Sequence, residues 1–156
     1  MSKSLKRVRA ALDAAEVTAD ILEMPASTRT AADAAAAAAC EVDQIAISII
    51  FARQDTGNAV LFISAGCYLV DPDKAAATAG TALTRADAAL VRAQTGFAIG
   101  GVAPIGHLSP CQAWFDPRLL AFSTVYAAAG TPRHIFAIAP DTLLRISEAT
   151  RADFCA

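Results

Sequence analysis

The run QIAISIIFA at residues 44–52 constrains the fold more than any other segment of the chain. It is rich in β-branched residues and almost entirely apolar, and it lacks the alternation that a strand with one solvent-facing side shows. Such a run is typical of a strand that is covered on both faces. We therefore predict a buried central strand over residues 44–52, with other elements packed on both sides of it.

Further strands are predicted around this one from turn residues and proline. The sequence Asp-Thr-Gly-Asn at residues 55–58 supplies a turn, so residues 59–64 should return as the second strand of a hairpin. Residues 18–23 form a candidate strand that ends before Met24-Pro25, because proline disfavours helix in the residue before it. Three more strands are predicted over residues 111–116, 124–128 and 134–139.

Helical segments are interspersed with these strands without a regular βαβ repeat. Predicted helices cover residues 2–16, an alanine-rich segment from Thr28 or Thr30 to Cys40, residues 71–80, residues 85–94 with Thr84 as cap, and residues 140–146. This mixture favours the α+β (mixed α/β) class. The chain has 156 residues, and we predict a single domain over residues 1–156, with a central mixed β-sheet flanked by helices.

Composition and charge exclude some functional classes. Hydrophobic residues make up 55% of the chain, but alanine inflates this share and no run reaches the roughly 18 strongly apolar residues of a membrane span. Residues 2–16 show helical spacing and no small-residue cleavage site follows a hydrophobic core region, so we interpret them as the first helix of the fold and expect a cytoplasmic protein. The net charge of -2 argues against a generally basic nucleic-acid coat and against DNA specificity. A local basic cluster remains, and it either contacts RNA phosphates or forms a solvated helix face. The cluster comprises Lys3, Lys6, Arg7 and Arg9.

Common catalytic and metal-binding motifs are absent from the sequence. There is no phosphate-binding P-loop, no G-x-S-x-G nucleophile motif and no H-E-x-x-H zinc motif. The two histidines, His107 and His134, lie far apart, and the four cysteines form no C-x-x-C pair. The sequence therefore predicts reduced thiols, no metal and no cofactor.

The segment TGFAIGGVAPIGH at residues 95–107 is the strongest candidate for a functional loop. Within it, residues 100–104 match G-x-x-x-P, in which glycine permits close approach and proline removes one backbone donor. Neighbouring N–H groups of such a loop can hold an ester carbonyl or a developing oxyanion. The alternative is an ordinary tight connection between a helix and a strand. The candidate catalytic residues are Gly100, Gly101, Val102, Ala103 and Pro104.

The order of several motifs resembles the YbaK/prolyl-tRNA synthetase editing-domain family over nearly the whole chain. The motifs are the helix start at Thr30, the strand DQIAISIIF, the helix start Val70-Asp71, the glycine-rich loop, Phe115-Asp116 and the turn AAGTP at residues 128–132. The resemblance implies a YbaK-like mixed α/β fold. It also implies a trans-acting deacylase that hydrolyses the ester between a wrong amino acid and tRNA. In such enzymes the G-x-x-x-P backbone holds the aminoacyl carbonyl and a 2′-hydroxyl of the terminal adenosine assists, so no protein nucleophile is needed.

The expected function is therefore trans-editing of a small non-cognate aminoacyl ester on tRNA for proline. The expected partner is the acceptor end of an aminoacyl-tRNA, and an aminoacyl-tRNA synthetase is a second candidate partner. Candidate substrate-binding residues are Thr30, Ile47, Ser48, His107 and Asp116. Several of them have structural alternatives: Thr30 as a helix cap, His107 as a free loop residue, and Asp116 as a cap for the turn at Pro117-Arg118.

Two departures from the family pattern favour an alternative function. Where the family usually has lysine in a strand pattern like Gln-Ile-Ala-Lys-Ser, this sequence has Ile47, which cannot offer a charge to the acceptor end of the tRNA. Relatives also tend to carry a polar residue, often asparagine, near the position of Tyr68. The alternative is a catalytically weak or inactive module that binds tRNA or a synthetase. A self-associating structural protein is a third possibility, suggested by the alanine-rich surface and the low charge.

Overall fold

The computed structural model describes residues 2–28, 30–66 and 68–156. Its α-helices are α1 (Lys3–Ala14), α2 (Ala31–Ala38), α3 (Pro72–Ala79), α4 (Ala88–Thr95) and α5 (Pro140–Ile146). Its strands are β1 (Asp20–Glu23), β2 (Ile45–Arg53), β3 (Ala59–Ala65), β4 (Leu83–Arg85), β5 (Gln112–Phe115), β6 (Val125–Thr131), β7 (His134–Ile138) and β8 (Thr150–Arg151). Two short 3-10 helices cover Val42–Gln44 and Pro117–Ala121. In these ranges no helix has the length and apolarity that a bilayer crossing requires.

All of these strands belong to one mixed sheet in the order β1-β7-β6-β2-β3-β5-β8, and β4 pairs with β2 beside this path. The predicted hairpin is β2 with β3, which are antiparallel, whereas β2 with β6 and β3 with β5 are parallel pairs. The predicted mixed α/β class is therefore confirmed. The prediction that residues 44–52 supply the central strand is also confirmed, since β2 is fourth of seven along the path.

The two faces of β2 pack against different parts of the chain. Ala46 and Ile50 face the largest hydrophobic cluster, which also contains residues of α1, β6, β7 and the glycine-rich loop. Ile45 and Ile47 face α2 on the other side, and Phe51 on that side joins a third cluster with α3. Because side chains alternate along a strand, residues of even number in this part of β2 turn toward the glycine-rich loop.

The predicted burial of the whole central strand was wrong. Only Ile45 and Ala46 of β2 are buried, and the strand is half-buried from Ile47 onward, whereas every residue of β3 is buried. The cause is that β2 keeps its parallel partner β6 only at Ile45 and Ala46. Beyond that point the neighbouring strand turns away, and the apolar face of β2 lines an opening.

The prediction of a helix over residues 85–94 was wrong at its start. Residues Leu83–Arg85 form β4, so Thr84 lies inside a strand and caps nothing. Helix α4 begins three residues later, where the Asp87 side chain accepts a hydrogen bond from the Leu90 N–H. The alanine-rich helix is capped by Thr30, as predicted, while Thr28 donates its hydroxyl to the Pro132 carbonyl.

Candidate functional site: a gap in the sheet beneath the glycine-rich loop

The principal cleft lies where the central strand loses its neighbour. On one edge β2 pairs with β3 from Ala46 to Ala52. On its other edge β2 pairs with β6 at Ile45 and Ala46 and with β4 from Phe51 to Arg53, so residues 47–50 have no strand partner there among the described residues. Backbone groups alternate in direction along a strand, so two of these four residues turn their N–H and C=O groups into the gap.

The gap opens into a cavity of about 660 Å³ with mostly apolar walls. The hydrogen-bonding side chains among its lining residues are Thr28, Ser48, Arg85 and Tyr126. No described lining residue is an acid, a cysteine or a histidine. Among the described lining residues there is therefore no carboxylate, imidazole or thiol that could act as a general base or activate the hydroxyls of Thr28, Ser48 and Tyr126 as nucleophiles. The cleft must rely on positioning and on backbone polar groups.

The glycine-rich loop forms one side of this cleft through Gly100 and Val102. Gly100 has φ of +97°, a conformation that side-chain-bearing residues rarely adopt. Gly101 packs against the backbone of Thr131, and an added Cβ would lie 2.8 Å from the Thr131 carbonyl carbon. The Gly101 N–H donates to the Ala98 carbonyl, so this donor is already used. The N–H groups of Gly100 and Val102 have no partner among the described residues.

Arg7 of α1 holds both ends of the loop segment. Its Nε donates to the Gly106 carbonyl at 3.2 Å and its Nη2 donates to the Thr95 carbonyl at 3.3 Å. Its guanidinium also lies 4.6 Å from the centroid of the Phe97 ring. Arg7 is therefore half-buried and bound to the glycine-rich loop, whereas Lys3, Lys6 and Arg9 are exposed. The predicted basic cluster is thus reduced to three surface cations.

His107 braces the loop from within and does not line the cleft. Its Nε2 lies 2.6 Å from the Ala103 carbonyl, and this nitrogen must carry the proton because a carbonyl can only accept. Burial lowers the pKa of His107, with the positive charge of Arg7 acting in the same direction and the bond to Ala103 opposing it. His107 shares a smaller cavity of about 210 Å³ with Pro104, while Ala103 is fully buried in the core.

Asp116 is buried and organises the turns around it. Its Oδ1 accepts from the Arg118 N–H at 2.9 Å, and its Oδ2 accepts from the Ala65 N–H at 3.2 Å. The Cys155 thiol lies 3.5 Å from the same Oδ2, and burial raises the pKa of that thiol, which keeps its proton available for donation. These contacts match the capping alternative for Asp116, and the residue does not line the cleft.

The candidate residues therefore divide into two groups. Ile47, Ser48, Gly100 and Val102 meet at the cleft. The others lie elsewhere: Gly101, Ala103 and Pro104 support the loop, His107 braces it, Asp116 caps a turn, and Thr30 caps α2. Arg85 and Tyr126 also line the cleft, and neither was predicted from the sequence. Neither carries a sequence signal, because each is brought there by strand pairing with β2.

Comparison with known proteins agrees with this architecture. The aminoacyl-tRNA editing domain family matches residues 25–146, a span that includes β2, the glycine-rich loop and α5. The chain belongs to the aminoacyl-tRNA editing domain family. The resemblance found in the sequence is thus confirmed. The enzyme class that membership of this family supports is an aminoacyl-tRNA deacylase, an ester hydrolase acting in translation fidelity.

Individual relatives of this editing domain match it over almost their full length. Uncharacterized protein YwhH of Bacillus subtilis (strain 168) is 30% identical over 144 residues, which cover 92% of this chain and 91% of that protein. A solved structure described as a candidate trans-editing enzyme for prolyl tRNA synthetase is 42% identical, with a TM-score of 0.93 over 100% of this chain and 99% of that one. The structure of hypothetical protein APE2540 is 25% identical in sequence, with a TM-score of 0.88; the match covers 96% of this chain and 99% of that one.

Proposed function

We propose that the chain is a trans-editing deacylase that removes a small non-cognate amino acid from tRNA for proline. The observation that carries this proposal is an apolar cleft with the N–H groups of Gly100 and Val102 at its rim, neither of which has a partner in the part of the chain that the structure describes. The similarity to a candidate trans-editing enzyme for prolyl tRNA synthetase supports the choice of tRNA. In this proposal the protein binds the acceptor end of the aminoacyl-tRNA. An aminoacyl-tRNA synthetase is the second proposed partner.

The cleft supports hydrolysis by positioning and by electrostatic stabilisation. The oxygen of water bonds to the ester carbonyl carbon, the bond from that carbon to the ribose oxygen breaks, and the ribose oxygen takes a proton. The N–H groups of Gly100 and Val102 are suited to hold the negative charge on the carbonyl oxygen, and one such donor is worth about 10²–10³ in rate. The neighbouring 2′-hydroxyl of the substrate would direct the water. No protein nucleophile or bound cofactor takes part in this scheme.

The walls of the cleft favour a small amino acid. Ile47, Ile50 and Phe51 of β2 all line the cavity, and this space must hold both the amino acid and part of the terminal adenosine. No acidic side chain among the described lining residues is available to pair with a cationic amino acid. Small uncharged side chains such as those of alanine, serine and cysteine therefore fit best.

Deacylation assays across mischarged tRNAs test this proposal. tRNA for proline carrying alanine, serine, cysteine or proline is incubated with the protein, and the loss of the ester is followed against the uncatalysed rate. We expect tRNA-dependent hydrolysis of one or more of the small non-cognate esters, with prolyl-tRNA spared. Hydrolysis of free amino-acid esters without any preference for tRNA would contradict the proposal, as would faster hydrolysis on tRNA for another amino acid.

The alternative, a binding module without efficient hydrolysis, rests on Ile47. This residue lines the cleft on the face of β2 toward α2, so the wall has no charge at the position where relatives usually have lysine. If that lost charge limits the rate, Ile47→Lys should raise deacylation about ten-fold to a hundred-fold, equivalent to about 1.4–2.8 kcal/mol. Tight tRNA binding with no turnover, and no gain from a folded Ile47→Lys variant, would favour the binding module.

A further inference from the structure

One hydroxyl group in the cleft wall has no partner. The Oγ of Ser48 is closed off from solvent and makes no hydrogen bond, and among the described residues it is the one buried side-chain oxygen or nitrogen in this condition. Buried polar groups in folded proteins nearly always have a hydrogen-bond partner, so each exception needs an explanation. The position of Ser48 at the cleft suggests that the partner belongs to a ligand.

A second serine on the neighbouring strand shows the usual outcome. Ser64 of β3 is also buried, but its Oγ donates to the Ala65 carbonyl at 3.2 Å and lies 3.6 Å from the Cys155 thiol. Ser64 pairs across the hairpin with Ile47, and Ser48 pairs with Ile63, so the two hydroxyls project from opposite faces of the sheet. The buried hydroxyl of Ser64, which does not line the cleft, thus has a hydrogen-bond partner within the protein, whereas the hydroxyl of Ser48 has none among the described residues.

The surroundings of Ser48 limit what its partner can be. Ser48 lies on the face of β2 that carries Ile50 and that turns toward the glycine-rich loop with Val102. Those neighbours are apolar and offer no hydrogen bond. A ligand group that reaches this point must be small. Rotation of the Ser48 hydroxyl about its Cβ–Oγ bond lets Oγ either donate a hydrogen bond to this group or accept one from it.

We infer that Ser48 is a specificity-determining residue whose hydroxyl binds a hydroxyl or thiol on the side chain of the aminoacyl group. The inference rests on the proposed function and narrows its substrate class to aminoacyl groups such as seryl and cysteinyl, with alanyl disfavoured. A site with an orphaned polar group binds an apolar analogue poorly, because that group stays unsatisfied. The expected preference for seryl over alanyl is about ten-fold to a hundred-fold.

The test compares wild type, Ser48→Ala and the matched control Ser64→Ala. Binding is measured by titration calorimetry with two stable probes, 3′-seryl- and 3′-alanylamino-3′-deoxyadenosine, and deacylation is measured with seryl- and alanyl-tRNA for proline. Ser48→Ala should lose the preference for seryl about ten-fold or more in both measurements, with alanyl unchanged or improved. Ser64→Ala should keep the wild-type ratio.

Thermal unfolding of the free proteins provides an independent readout. Removing an unsatisfied hydroxyl should raise the Tm of Ser48→Ala by about 2–4 °C, whereas Ser64→Ala should lower it. An equal loss of seryl and alanyl binding would overturn the inference, since the hydroxyl would then contact a part common to both ligands. An unchanged ratio would also overturn it. Probe binding with the expected preference but no turnover of any aminoacyl-tRNA would contradict the proposed function and leave the specificity role supported.

Discussion

Removing the guanidinium of Arg7 should loosen the glycine-rich loop and reduce both stability and activity. Hydrogen bonds from charged donors contribute about 1.5–3 kcal/mol each, and a cation–π contact about 0.5–1 kcal/mol. The two bonds of Arg7 are 3.2 and 3.3 Å long and only partly buried, so the lower end of these ranges applies. We therefore expect Arg7→Met to cost about 3.5 kcal/mol, which lowers the Tm by about 7–14 °C in a chain of this size.

The same substitution should affect the chemical step more than substrate binding. Arg7 touches the loop at Thr95 and Gly106, while Gly100 and Val102 at the cleft lie between these anchors. Displaced donors stabilise an oxyanion less well, so single-turnover deacylation at saturating enzyme should slow about ten-fold at a temperature where the variant is folded. Arg7→Lys can keep the charge but cannot bridge both carbonyls in the same way, and we expect it to recover only part of the rate.

Lys6→Met is the matched control, because it removes the same charge from an exposed neighbouring position of α1. Urea unfolding and single-turnover rates are compared for the three variants and wild type. Equal effects of Lys6→Met and Arg7→Met would refute the reasoning, since general electrostatics would then account for both. Full stability and full activity of Arg7→Met would refute it as well.

Three further predictions concern the same site. Gly100→Ala should cost about 1–3 kcal/mol, because alanine is strained at φ of +97°, and the chemical rate should fall while circular dichroism confirms folding. The pKa of His107 is lowered in the folded chain, so as the pH falls the unfolded chain becomes protonated at this residue before the folded chain does. The free energy of unfolding should therefore decrease as the pH falls below about 6.5, and it should decrease less in His107→Gln; urea titrations from pH 5 to 8 measure both. If the exposed cations of α1 bind tRNA phosphates, their neutralisation should flatten the salt dependence of tRNA affinity by about two units in log–log slope, and an unchanged slope would exclude them. These cations are Lys3, Lys6 and Arg9.

The sequence predicted those parts of the fold that depend on local patterns. The apolar run of β2, the turn after it and the cap at Thr30 are each specified by residues within a few positions of one another. The course of β6 away from β2 is not specified in this way, so the strand was predicted to be buried along its length. Strand β4 was missed because three residues with one pairing partner carry too short a pattern.

The sequence predicted that a glycine-rich loop borders the site, but it predicted only some of the residues that line the cleft. The glycine-rich loop was recognisable from its own sequence, and two of its members line the cleft. The role of Arg7 could not be predicted, since its two carbonyl partners lie 88 and 99 residues away in the chain. His107 and Asp116 are polar residues beside recognised motifs, and both are used to hold the backbone in position.

The unpaired stretch of β2 has a consequence for how this protein can evolve. The loop and the free strand edge both present main-chain groups, which survive most substitutions because every residue except proline carries the same N–H and C=O. Side chains along residues 47–50 can therefore exchange without removing these groups from the cleft. Lineages that keep the break in strand pairing are then free to change which amino acid they accept while the hydrolytic chemistry stays the same.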